Sequence, residues 1–99
     1  MTTSALLAPS KPALQRPSLY KVIFLDDDVS TFQCVIDILV NYFDKSEDDA
    51  YECAMDIHIT GSKNVGVYPK DIAETKISLA KSALKVKAYP LRIELMKSA

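Results

Sequence analysis

The chain has no tryptophan, one histidine, two cysteines and two glycines among 99 residues. Cys34 and Cys53 are too few and too far apart to form a disulfide framework or a zinc site. They read as small buried hydrophobes in a reducing, intracellular setting. No apolar run approaches the roughly 20 residues that a membrane-spanning helix needs. Neither sign of charge dominates: 12 basic and 13 acidic residues give a net charge of -1, with no general pull toward nucleic acid. The lone histidine, His58, has no Ser, Cys or Asp at triad spacing, so nothing marks an enzyme. What is present, 48% hydrophobic and 25% charged residues, suits one small globular domain.

The charge is unevenly distributed. Residues 1–25 carry Lys11, Arg16 and Lys21 and no acid, whereas residues 26–58 hold ten acids against Lys45 alone. From Ile59 onward eight bases face three acids. Two readings stand: solvated helix surfaces, or a middle third that presents an anionic site to a cation.

Residues 1–18 read as a flexible arm. They hold Pro9, Pro12 and Pro17 without sustained periodicity and cannot bury enough surface to offset their ordering entropy. The apolar stretch from Ala5 to Ala8 is too short for a secretory signal. Residues 19–99 form the core domain. Leu19–Leu25 is a strand that stops at three aspartates. Ser30 and Gln33 have capping-box spacing, followed by Phe32, Val35, Ile36, Leu39 and Phe43 on one helical face. Ser46 with acidic Glu47, Asp48 and Asp49 opens a second helix, whose thinner apolar face is Ala50, Cys53, Ala54 and Ile57 and whose end is Gly61. Lys63–Tyr68 is a short strand, with Gly66 marking a bulge or a close backbone approach. Pro69 opens a third helix with Ala73, Ile77, Ala80 and Leu84 on its buried side. Leu91, Ile93 and Leu95 then alternate with Arg92 and Glu94 as a last strand. The expected fold is α+β, a two-layer β-α-α-β-α-β sandwich in which three helices pack a three-stranded antiparallel sheet.

Asp26-Asp27-Asp28 is the strongest chemical signal, because three adjacent carboxylates must find cations, N–H donors or water. The plain structural reading is an acidic loop capping the next helix. A calcium loop would use Asp26, Asp28, Ser30 and Asp37, but it needs glycine where Thr31 stands, and the capping signal already makes the stretch helical. No metal is expected. Met55 to Gly61 superficially resembles the phosphoacceptor strand of receiver domains, with Asp56 as acceptor. Against that reading, only 43 residues follow Asp56 and the segment before it reads as helix. His58, late in the second helix, is by itself more ordinary as a surface residue than as a site.

Four stretches, Tyr20-Lys21-Val22-Ile23, Val35-Ile36-Asp37, Val65-Gly66-Val67-Tyr68 and Ala73-Glu74-Thr75-Lys76, together resemble the ClpS adaptor family. His58 before a glycine turn and Tyr89-Pro90-Leu91 add to the likeness, which runs from Leu19 to Met96. The resemblance implies a non-enzymatic, monomeric N-end-rule adaptor without cofactor, in a bacterial cytoplasm or a plastid stroma. Such an adaptor binds substrates that begin with Leu, Phe, Tyr or Trp. It delivers them to an AAA+ unfoldase of the ClpA or ClpC type working with ClpP. It implies an amine site at Asp26, Asp27 and His58 and a side-chain pocket at Ser30, Phe32, Val35, Ala54, Ile57 and Leu91. Unfoldase docking falls on Asp71 and Lys76, and the unfoldase would engage residues 1–18.

Three positions depart from the family pattern. Asp26 stands for an asparagine, which predicts binding more sensitive to salt and acid. Ser30-Thr31 stands for Thr-Pro. Ala54 and Phe32 stand for two methionines, which predicts a reshaped pocket open to Ile or Val. Two alternatives remain: a receiver-like phosphoacceptor domain, and a docking module of the same fold without the amine site.

Overall fold

The computed structural model describes residues 18–98; the arm expected over residues 1–18 lies, apart from Ser18, outside them. The elements are β1 (Leu19–Leu25), α1 (Phe32–Tyr42), α2 (Glu47–Thr60), β2 (Ser62–Pro69), α3 (Lys70–Val86) and β3 (Arg92–Lys97). The described strands form one antiparallel sheet in the order β2-β1-β3. The expected two-layer α+β sandwich is the observed one.

Alternation along the strands separates the faces. Val22, Phe24 and Ile93 are buried, while Arg92 and Glu94 stand exposed and join at 3.0 Å. The helices cover the apolar face with Val35, Ile36, Leu39, Ala50, Cys53, Ala54, Ile57, Ala73, Ile77, Ala80 and Leu84. α1 buries a wider face than its periodicity predicts, since Cys34 and Ile38 are inside as well. Phe24 and Phe43 meet edge to face at 5.3 Å at the centre of the core, a geometry that suits the ring quadrupoles. Removing either ring is expected to cost about 3–5 kcal/mol.

The caps refine two expectations. Ser30 is not the cap of α1. Thr31 has the extended backbone, and its Oγ1 accepts from Cys34 N at 3.0 Å. Gln33 donates to Asp37 instead, at 2.9 Å. The reason lies in the preceding turn: Asp27 Oδ1 accepts the backbone N–H groups of Val29 (2.8 Å) and Ser30 (2.6 Å), so Ser30 is already held before the helix begins. Pro69 is likewise the N-cap of α3 and the last residue of β2, not a residue of the helix's first turn.

At α2 the expected signals hold. Ser46 Oγ accepts from Asp49 N, and Gly61 closes the helix with φ 94°. The bulge anticipated at Gly66 falls one residue earlier, and what lies close to Gly66 is a side-chain ring and not another backbone. Val22 pairs with Gly66 and Ile23 with Asn64, leaving Val65 as the bulge. A Cβ on Gly66 would lie 2.7 Å from the Tyr68 ring.

Candidate functional site

The acidic loop leaves the central strand and is fixed to the end of α2, where Asp26 N donates to Gly61 O at 2.9 Å. That bond brings the loop beside His58, three residues earlier. His58 Nδ1 lies 3.9 Å from Asp26 Oδ2, with side chains 70% and 36% exposed. The separation is too long for a direct hydrogen bond. An ammonium nitrogen at the usual distance of about 2.9 Å could reach both groups at once.

Asp27 is built differently. One carboxylate oxygen holds the turn, while Oδ2 and the Ser30 hydroxyl are excluded from solvent. Burial pushes the Asp27 carboxyl up, but the backbone N–H groups of Ser30 and Val29 and the Ser30 hydroxyl outweigh it, and its pKa falls below the ordinary 3.8. At neutral pH the loop therefore holds a fixed, ionised carboxylate.

The predicted pocket residues come largely from two adjoining helices. α1 supplies half-buried Phe32 and buried Val35, and α2 supplies buried Ala54 and Ile57. Leu91 comes from the segment ahead of β3, next to Arg92, which pairs with Leu25 where the acidic loop begins. It is buried and also lines a cavity of about 570 Å³ against the end of α3. Sequence reasoning missed Tyr51, whose ring meets Phe32 at 5.3 Å and 78° and so bridges α1 and α2. The signal was available, because Tyr51 precedes Ala54 by three and His58 by seven, on one helical face.

Asp71 and Lys76 do not share a face. Five residues turn an α-helix by about 140° beyond one full circle. Asp71 is exposed in the first turn of α3. Lys76 is drawn against the body of the protein, donating to Asp44 Oδ2 at 2.8 Å and to Tyr42 O at 3.3 Å, with its ammonium 5.2 Å from the Tyr68 ring centre. Asp44 sits at φ 61°, a left-handed turn joining α1 to α2. Burial raises the Tyr68 phenol above its ordinary 10.0, against the opposing pull of Lys76.

Other candidate chemistries lack their geometry. Asp56 lies within α2, 3.1 Å from Lys63, where a receiver domain needs a strand end. Asp37 lies within α1 and accepts from Gln33, which removes it from any calcium loop. Among the described residues no three His, Cys, Asp or Glu side chains converge as a metal site. Burial pushes both thiols, Cys34 and Cys53, above the ordinary 9.0 and keeps them protonated at neutral pH.

Fold and site together define a small α+β domain in which an acidic loop and an imidazole meet at the end of α2. The chain belongs to the ClpS family: the family model described as "ATP-dependent Clp protease adaptor protein ClpS" matches residues 15–94. The ClpS adapter of Clostridium acetobutylicum is 41% identical over 83 residues, covering 84% of this chain and 82% of the relative. A second ClpS adapter, ClpS 2 of Mesorhizobium japonicum, is 43% identical over 81 residues, 82% and 80% of the two chains. The structure of Agrobacterium tumefaciens ClpS2 bound to L-phenylalaninamide is similar with a TM-score of 0.80 and 37% identity. It covers 84% of this chain and 100% of that one.

Proposed function

We propose that this protein binds the free α-amine and large hydrophobic first residue of substrate chains and hands them to a Clp-family AAA+ unfoldase for proteolysis by ClpP. The observation that carries the reading is the accessible pair of His58 Nδ1 and Asp26 Oδ2, 3.9 Å apart, next to the ionised Asp27. An ammonium group placed between the two can donate to both. Its three N–H bonds match the acceptors at hand: Asp27, Asp26 and an imidazole nitrogen of His58.

The ligand of the Agrobacterium relative supports the same chemistry. L-Phenylalaninamide carries a free amine, a large apolar side chain and an amide where a chain would continue. In this protein the side chain of such a residue packs against Ser30, Phe32, Val35, Ala54, Ile57 and Leu91. Charge-assisted bonds contribute roughly 1.5–3 kcal/mol each, and burial of one Leu or Phe side chain about 1.5–3 kcal/mol. Set against association costs of about 4–15 kcal/mol, these give affinity of order micromolar, which suits an adaptor that must release its cargo.

Fluorescence anisotropy with free and N-acetylated peptides beginning with Leu or Phe tests the amine site. Free peptides bind and acetylated ones do not; equal binding of both overturns the reading. Delivery is tested by adding the protein to an unfoldase–ClpP assembly with a reporter that begins with Phe. Faster loss of the free-amine reporter alone is the expected result. Unfoldase binding without discrimination at the reporter's first residue would identify a docking module instead.

A further inference from the structure

We propose that the open edge of β3, together with the flank of α3 above it, is a docking groove for an extended acidic segment of a partner protein. The groove is separate from the amine site and does not depend on it. β3 pairs with β1 on one side and, among the described residues, with no strand on the other. That side presents backbone N–H and C=O groups that an added strand can satisfy. Two cavities, of about 570 and 460 Å³, lie along it. Lys81, Lys85 and Ile93 line both, so the two join as one channel between helix and strand.

Spacing along α3 keeps the channel open. Glu74, Ser78, Lys81, Ser82 and Lys85 form one helical stripe, and all of them line it. Ile77 and Leu84 turn into the core, while the stripe beside them carries two serines too short to fill the gap. The floor is apolar, since Leu84, Leu91 and Ile93 are buried and Leu95 is half-buried. The rim is basic. Arg92 and Glu94 neutralise each other at 3.0 Å, whereas neither Lys81 nor Lys85 joins an ion pair among the described residues. Glu74 is the one other acid that lines the channel. Two exposed ammonium groups over an apolar floor favour carboxylates. The row of backbone partners favours a polypeptide over other polyanions.

The probe is dye-labelled N-acetyl-Glu-Glu-Val-Thr-Val-Glu-Glu amide, read by anisotropy against the full chain at low salt. Acetylation removes the amine, and strand alternation puts both valines and the outermost glutamates on one face. The acidic peptide binds. A peptide with lysine in place of every glutamate does not, nor does one with proline at the three central residues, which keeps the charge but cannot pair as a strand. Combining Lys81→Ala with Lys85→Ala weakens binding about two- to thirtyfold. Both lysines are exposed, so the variant keeps its fold, which circular dichroism verifies. Amide resonances shift along Arg92–Lys97 and α3 and stay in place at Asp26, Asp27 and His58. Absence of binding, equal binding of the acidic and basic peptides, full binding of the proline peptide, or an unchanged affinity in the lysine variant overturns the proposal. Displacement by a free Phe-starting peptide overturns it as well. Failure of that Phe peptide to bind at all overturns the amine-site reading and leaves the groove standing.

Discussion

Replacing Asp27 with asparagine separates the two tasks of that side chain. The amide oxygen can still accept from Val29 and Ser30, now at 2.8 and 2.6 Å, so the turn should form. Those bonds lose charge assistance, and the fold should weaken by about 1 kcal/mol. The larger change is the loss of the negative charge that the proposed function sets beside the ligand's ammonium. Losing one charge-assisted bond of roughly 1.5–3 kcal/mol weakens binding of a free-amine peptide by about 10- to 150-fold. Anisotropy with Phe-starting peptides measures this directly. Because acetylation removes the same contact, the variant should add little to the loss acetylation already causes. A folded Asp27→Asn protein that binds the free peptide within about twofold of wild type would refute the reasoning. The pH dependence gives an independent check. The folded pKa of Asp27 lies below the ordinary 3.8, so its ionised form stabilises the fold fully above that value. The contribution disappears as pH falls through the depressed pKa. The stability gap between wild type and Asp27→Asn should therefore be constant near neutrality and close only below about pH 3.8, as followed by urea denaturation.

Three further outcomes are expected. Gly66→Ala drives a methyl into the Tyr68 ring, 2.7 Å from its Cβ position, and should cost about 1–3 kcal/mol, visible as a lower melting temperature; an unchanged melt would mean that Tyr68 moves freely. Lys76→Ala and Asp44→Ala each break the 2.8 Å bridge and should lower stability by about 0.5–1 kcal/mol, given that Asp44 is well exposed. The double variant should lose less than the sum, and strict additivity would show that the bridge carries no coupling. Asp26→Asn should flatten the dependence of peptide affinity on salt, because one of the carboxylates beside His58 is removed; an unchanged slope counts against an ionic role for Asp26.

Much of this domain was settled locally. The β-rich run of Leu19–Leu25, the stripes through Leu39 and Leu84, the serine cap of α2 and the glycine that ends it each depend on neighbours a few residues away, and each can be read along the chain. The exchange of Ser30 for Thr31 as cap shows the limit of spacing rules. Both residues offer a hydroxyl, and the choice was made by Asp27, which captured the Ser30 N–H in the preceding turn.

Contacts between distant segments belong to tertiary structure. The sequence shows an acidic loop and a lone histidine more than 30 residues later, but only the packing of α2 against β2 and the bond from Asp26 N to Gly61 O bring Asp26 within 3.9 Å of His58. Tertiary packing likewise sets Tyr51 against Phe32 and ties Lys76 to Asp44 across 32 residues of chain. Periodicity reports which face of an element is buried, because burial follows from side-chain direction alone. It cannot report which side chain of another element that face meets, because the meeting depends on how helices and sheet settle against one another in three dimensions.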